Sequence, residues 1–177
     1  MRWHLIYFLY DMVSESLIVN RLSIVELLIR TRLTSVGETE WSKVGKKKGT
    51  TEKGLTEHGR EEARAVADGF VGDGRLIDPA SLVHVLVSPR HRARETFELM
   101  MSNIAEASYS LTVCEDVREW EHGLYEGMTT QEIRALRAGQ GLDEQKEWSI
   151  WTGGCEGGEY ATFFPFFFFG SLLSVSL

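Results

Sequence analysis

The stretch SPRHRARET, residues 88–96, decides how this chain folds, because a predicted strand leads into it and a predicted helix leads out. The preceding segment, Leu82–Val87, is an almost continuous apolar run rich in valine, which is typical of a strand buried on both faces. Ser88 is a suitable N-cap and Pro89 suits the first helical position, so we expect the helix to begin there. Its inward face recurs at helical spacing: Ala93, Phe97, Met100 and Met101.

Two arginines lie at this junction of strand and helix. Arg90 and Arg92 fall in the first predicted helical turn, at the carboxyl end of the strand, where open α/β sheets place their ligand crevices. Guanidinium donors beside the N–H groups of a helix start favour a phosphate group. Taken alone, the stretch is equally consistent with arginines on a solvated surface helix.

Helices and strands alternate on either side of this centre. Thr56 predicts the N-cap of an earlier helix, whose inward face is Ala63, Val66, Ala67 and Phe70. An alternating apolar pattern predicts a strand at residues 109–113. Thr129 and Glu132 predict a capping box. The helix that follows is expected to turn Ile133 and Leu136 inward. This order predicts an α/β fold with a parallel sheet.

Composition limits the class of protein. With 177 residues, 43% of them hydrophobic and 25% charged, the chain is long enough for one globular domain. A formal net charge of −7 argues against general affinity for nucleic acid, whereas a small anionic ligand needs only a local positive pocket. The two cysteines lack metal or redox spacing, which favours a reducing, cytoplasmic location. We expect no metal and no cofactor.

Three motifs occur in the order and approximate spacing found in the histidine phosphatase superfamily, also called phosphoglycerate-mutase-like proteins. They are GETEWSK at residues 37–43, the stretch at 88–96, and DVREWEHGLYEG at 116–127. The chain resembles this superfamily over about residues 37–159, and in particular its fungal members similar to sedoheptulose 1,7-bisphosphatase, which share WSIWTGGCEGGE at 148–159. The resemblance implies a three-layer, parallel-sheet phosphoglycerate-mutase-like fold and hydrolysis of sugar phosphates or bisphosphates.

The resemblance also implies roles for individual residues. In this superfamily a histidine attacks phosphorus, a glutamic acid protonates the leaving oxygen, and water then cleaves the phosphohistidine. By position, Glu119 corresponds to the proton donor and Arg92 to the phosphate-binding arginine. The other implied substrate contacts are Gly37, Glu38, Ser42 and Gly49. Arg90 and Arg118 are either further phosphate contacts or structural ion-pair residues.

The nucleophile position departs from the superfamily pattern. Where the superfamily has Arg-His-Gly-Glu, this chain reads SVGE at residues 35–38, so Val36 stands in place of the histidine. The five histidines offer no convincing substitute: His4, His58, His84, His91 and His122. The region of the superfamily's second histidine also has no counterpart in the sequence. We therefore expect that this chain is catalytically inactive. Three alternatives remain: mutase-type activity, non-catalytic phosphate binding, and an altered gene product without function.

A polar loop at residues 41–56 corresponds to the loop that wraps the phosphate pocket in the superfamily. The superfamily's threonine-glycine pair reads Lys48-Gly49 here. A lysine run such as Lys46–Lys48 is more commonly a solvated surface than a phosphate site, so we expect Arg92 to dominate binding.

Both ends depart from the superfamily pattern, which predicts a domain at residues 35–159 with an altered amino-terminal segment and a truncated carboxyl side. Residues 1–34 carry a helical pattern at 18–29, and residues 33–36 are a candidate for the first strand. Residues 160–177 form an apolar tail, in which the stretch 163–177 is the single hint of a membrane partner. We expect that neither end packs in the sheet in the way the superfamily builds it, and the oligomeric state is not predicted.

Overall fold

The structure is a computed structural model that describes the backbone of residues 6–10 and 30–34 and all atoms of residues 35–104, 109–143 and 146–160. The strands within these ranges are β1 (Ile6–Tyr10), β2 (Arg30–Thr34), β3 (Leu82–Val87) and β4 (Ser110–Val113). The α-helices are α1 (Glu40–Lys43), α2 (Glu57–Phe70), α3 (His91–Met100), α4 (Thr130–Gly139) and α5 (Ile150–Gly153). The helical pattern at 18–29 and the apolar tail beyond residue 160 lie outside the described residues.

The strands form one sheet in the order β2-β1-β3-β4. β3 and β4 pair in parallel, with Val85 opposite Leu111, and the predicted α/β fold is confirmed. β1 runs antiparallel to both of its neighbours. β1 and β2, within residues 1–34, therefore do pair in this sheet, and β1 supplies the backbone hydrogen bonds that would otherwise be missing along one edge of β3.

The helix after β3 begins later than predicted. It begins at His91, with Arg90 as an N-cap that makes no side-chain capping bond. Ser88 instead accepts a long hydrogen bond of 3.5 Å from the Arg90 amide, within the turn. The prediction that Ser88 is the N-cap is wrong, because its hydroxyl engages the amide two residues on in an extended turn.

The main core lies where α2 and α3 pack together against β3. Ala93, Phe97, Met100 and Met101 are all buried, as their spacing predicted. Three residues expected to face inward are exposed instead: Val83 at 48%, Phe70 at 50% and Leu136 at 42%. Phe70 and Leu136 follow a helical apolar period and Val83 lies in a continuous apolar run, but neither pattern shows how far the neighbouring elements extend over a face.

A second cluster holds the acidic motif against α4. Its buried members are Trp120, Tyr125, Ile133, Trp148 and Cys155. The rings of Tyr125 and Trp148 pack edge to face with their centroids 5.5 Å apart, and the Trp148 indole N–H donates to the Gly154 carbonyl at 2.9 Å. These contacts position the loop that carries Glu119.

The other two predicted helix caps, at Thr56 and Thr129, are present. Thr56 accepts from the Gly59 amide at 3.0 Å, and Thr129 and Glu132 form the reciprocal capping box of α4. Across the residues that the structure describes, no helix is both long and apolar enough to cross a membrane.

Candidate active site

Arg92 lies at the centre of the candidate site, in the first turn of α3. The residue is 0% exposed, and its guanidinium donates to the carbonyls of Gly49 at 2.9 Å and Thr51 at 3.0 Å. Burial lowers the pKa of Arg92, while the Glu119 carboxylate opposes that shift. An arginine nevertheless stays charged at neutral pH, so this is a permanent buried cation.

Glu126 holds the same loop from the other side. One of its carboxylate oxygens accepts from the amides of Gly49 and Thr51, each at 2.8 Å. Burial would raise the pKa of Glu126, but the hydrogen bonds from Thr51 and Gly49 outweigh it, and the pKa lies below its ordinary value. Residues 49–51 are thus held between a carboxylate at their amides and a guanidinium at their carbonyls. Sequence reasoning missed Glu126, although it lies inside the acidic motif.

Gly49 allows the loop to approach the acidic motif closely. A Cβ at this position would lie 2.4 Å from the Trp120 carbonyl oxygen, which is shorter than any tolerated contact. Glycine is therefore required here by the close approach of two backbones. The structure places Gly49 beside Arg92, because the Gly49 carbonyl accepts from the Arg92 guanidinium.

Lys48 also points into this site, so the expectation of a solvated lysine run is wrong for Lys48. Its ammonium donates to the hydroxyl of Thr39 at 2.9 Å, and that threonine is fully buried. Burial and the neighbouring charge of Arg92 lower the pKa of Lys48 to about 8, against the opposing effect of the Glu119 carboxylate. The charge run had no periodicity from which to predict this orientation.

Glu119 supplies the negative charge of the site. It is 7% exposed, and one of its carboxylate oxygens accepts from the Trp120 amide at 3.1 Å. Its charge acts on both Arg92 and Lys48. The three side chains therefore form one electrostatic cluster, which we call the pocket cluster.

Ser42 reaches the pocket cluster indirectly, through Thr39. The Ser42 hydroxyl accepts from the Thr39 amide at 2.8 Å and donates to the Thr39 carbonyl at 2.9 Å, closing the capping box of α1. The Thr39 hydroxyl in turn accepts from Lys48. Sequence reasoning missed Thr39, for which the Thr-x-x-Ser spacing of a helix cap was the available signal.

The segment around Val36 packs against α2 and α3. Val36 lies against the main core, and the Gly37 amide donates to Thr96 at 3.2 Å. Glu38 accepts from the hydroxyl of Thr56 at 2.9 Å, at the start of α2. Gly37 and Glu38 thus anchor this segment to the helices.

Arg90 and Arg118 differ in their surroundings. Arg118 pairs with Glu159, lies 3.7 Å from Glu115 and donates to the Glu119 carbonyl at 3.2 Å, which makes it a structural ion-pair residue. Arg90 makes longer contacts, 3.7 Å to Glu52 and 3.8 Å to Glu115. Its charge also acts on Arg92, so Arg90 adds to the positive potential of the site.

Two of the histidines lie on the elements described above, His84 on β3 and His122 in the acidic motif. The His84 ring shares hydrogen bonds with the hydroxyls of Ser110 and Thr112 on β4. His122 is buried, and its charge acts on Glu126. Within the described ranges, no group of three or more His, Cys, Asp or Glu side chains could hold a metal ion.

The structure is an α/β fold in which Arg92, Lys48 and Glu119 form a largely buried charged cluster. Residues 36–161 match the family profile of the histidine phosphatase superfamily (branch 1). The chain belongs to this superfamily, which confirms the resemblance found in its motifs.

Two of the curated relatives that the chain matches are named as phosphatases. It is 39% identical to sedoheptulose 1,7-bisphosphatase of Saccharomyces cerevisiae over 126 residues, covering 70% of this chain and 46% of that protein. It is 36% identical to an acid phosphatase of Mycobacterium tuberculosis over 130 residues, covering 73% of this chain and 55% of that protein. The alpha-ribazole phosphatase of Shigella flexneri shares the fold, with a TM-score of 0.55 and 18% identity over 79% of this chain and 63% of that one. The chain thus spans about half the length of the curated relatives it matches.

Proposed function

We propose that this protein binds a small phosphate ester of the sugar phosphate class at the pocket cluster, with no phosphohistidine turnover. The observation that carries the proposal is the fully buried guanidinium of Arg92 with a second cation, Lys48, beside it. Two like charges in a partly dry site repel each other, and a phosphate dianion would relieve that repulsion. The relative named sedoheptulose bisphosphatase supports the sugar class of the ligand.

The absence of turnover follows from Val36. A hydrocarbon side chain can neither attack phosphorus nor carry a phosphoryl group, and Val36 lies against the core. Removing the nucleophile from a covalent-catalysis site costs on the order of a million-fold in rate. The same argument applies to a mutase, since that branch of the superfamily uses the same phosphohistidine. Glu119 then has no leaving group to protonate, and it acts only through its charge on Arg92 and Lys48.

The composition supports a small-molecule ligand in the cytoplasm. The net charge of −7 disfavours nucleic acid as a partner. Cys114 and Cys155 are both free thiols, in keeping with a reducing compartment.

Calorimetric titration of inorganic phosphate and sedoheptulose 1,7-bisphosphate tests the binding proposal. We expect Arg92→Lys to weaken binding by about tenfold and Arg92→Ala by about a hundredfold, because a hydrogen bond to a charged group contributes about 1.5–3 kcal/mol. Arg94 is exposed on the same helix, so Arg94→Ala is the matched control and should stay within about twofold. Circular dichroism checks that each variant is folded. Equal affinities for the Arg92→Lys and Arg94→Ala proteins would contradict the proposal.

Turnover of the same bisphosphate and of an aryl phosphate tests the second part. We expect no enzymatic release of phosphate, with Glu119→Ala as the contamination control. Turnover of about 1–1,000 per second that disappears in Glu119→Ala would show that another residue is the nucleophile.

A further inference from the structure

The amine of Lys48 is placed unlike an ordinary surface lysine. It is half-buried and held by a buried threonine hydroxyl, and the charged groups acting on it are Arg92 from α3 and Glu119 from the acidic motif. The next residue, Gly49, supplies the carbonyl that Arg92 binds, so the amine and the guanidinium are tied to consecutive residues of one loop.

We propose that Lys48 is a reactive amine that forms an imine with an aldehyde or ketone carrying a phosphate group. This inference rests on the proposed phosphate pocket, because the phosphate on Arg92 would hold the carbonyl group near Nζ. Open-chain sugar phosphates have this combination of a carbonyl group and a phosphate ester.

The protonation state of Lys48 favours the reaction. Only a neutral amine attacks a carbonyl carbon, and burial beside a second cation is an established way to produce one. With its pKa lowered to about 8, the neutral fraction at pH 7 is about a tenth, on the order of a hundredfold larger than for an ordinary lysine.

The chemical steps balance with the groups present. The Nζ lone pair attacks the carbonyl carbon, and the carbon–oxygen π electrons move to oxygen. The nitrogen loses a proton, which the Glu119 carboxylate can accept and return to the oxygen. A second proton, supplied by solvent, then converts the hydroxyl into water. The water leaves as the nitrogen lone pair forms the carbon–nitrogen double bond, and the iminium nitrogen returns one proton to solvent. No oxidant or reductant is needed for this step.

Pyridoxal 5′-phosphate is a suitable probe, since it joins an aldehyde to a phosphate ester. The full-length protein is incubated with it, reduced with borohydride to trap the imine as a secondary amine, and analysed by peptide mass spectrometry. We expect Lys48 to be labelled at least tenfold faster than the other lysines, and the advantage to be lost with pyridoxal, which has no phosphate. Inorganic phosphate should slow the labelling.

Two variants make the result specific. The Lys48→Met protein should lose the rapid labelling. Lys46 lies in the same loop, but its charge acts on Glu132, so the Lys46→Met protein should keep the rapid labelling of Lys48. Arg92→Lys should reduce the preference for the phosphorylated aldehyde.

Failures of the two proposals are distinguishable. If calorimetry detects phosphate binding but label is spread evenly over the lysines, the imine inference is overturned and the pocket stands. If Lys48 is labelled equally by pyridoxal and its phosphate, and no phosphate binding is measured, both proposals are overturned.

Discussion

Replacing Glu126 by glutamine tests the contact that holds the pocket loop. The carboxylate oxygen of Glu126 accepts two amide hydrogen bonds of 2.8 Å, from Gly49 and Thr51. Glutamine retains an acceptor oxygen but loses the charge. Hydrogen bonds to a charged group contribute about 1.5–3 kcal/mol and neutral ones about 0.5–1.5, so the loss is about 1 kcal/mol for each bond.

The total expected loss is about 1–2 kcal/mol once the partial exposure of Glu126 is discounted. For a domain of this size, that lowers Tm by about 5 °C. The pKa of Glu126 is lowered in the fold, so its contribution is complete above its ordinary value of 4.5 and is lost as pH falls through the folded value. The stability difference between Glu126→Gln and the parent should therefore close on acidification.

Urea denaturation at pH 7 and near pH 3.5 measures this difference, and phosphate titration measures its effect on the site. Because Gly49 and Thr51 also supply the acceptors of Arg92, phosphate affinity should fall together with stability. Glu98→Gln removes an exposed carboxylate from α3 and is the matched control. A loss for Glu126→Gln no larger than the control, or one that is unchanged at low pH, would refute the reasoning.

Two further substitutions test the loop. Gly49→Ala should destabilise the protein by more than about 2 kcal/mol and weaken phosphate binding, because its Cβ would lie 2.4 Å from the Trp120 carbonyl oxygen. Gly69→Ala, where the added Cβ on α2 meets open space, is the control. Equal Tm values for the two variants would contradict the packing argument. Lys48→Thr should raise stability at pH 7 by about 1 kcal/mol, since the folded state no longer holds a partly desolvated ammonium. Between pH 8 and 10.5, the unfolded state of the parent protein binds more protons than the folded state, so the free energy of unfolding of the parent rises with pH across that window. The stability gain from Lys48→Thr should therefore be smaller in urea denaturation at pH 9.5 than at pH 7. A gain that does not change with pH would count against a buried charge.

The positions of Arg92 and Glu119 could be predicted from the sequence because short motifs carry them. The run before residue 88 predicts a strand and the residues after it predict a helix, whereas the roles that the resemblance implies for Arg92 and Glu119 stay predictions. The caps at Thr56 and Thr129 were equally predictable, since a cap joins residues only three apart. Such local rules operate before the chain is folded.

The contacts that shape the pocket depend on the tertiary structure. Glu126 bonds to an amide 77 residues away, and Arg92 to a carbonyl 43 residues away, so neither pairing has a local pattern. Lys48 lies in a loop without periodicity, where only the path of the backbone decides which side chain turns inward. β1 likewise pairs between β2 and β3, because the edge of β3 requires backbone hydrogen bonds and the strand that meets this need is distant in the sequence.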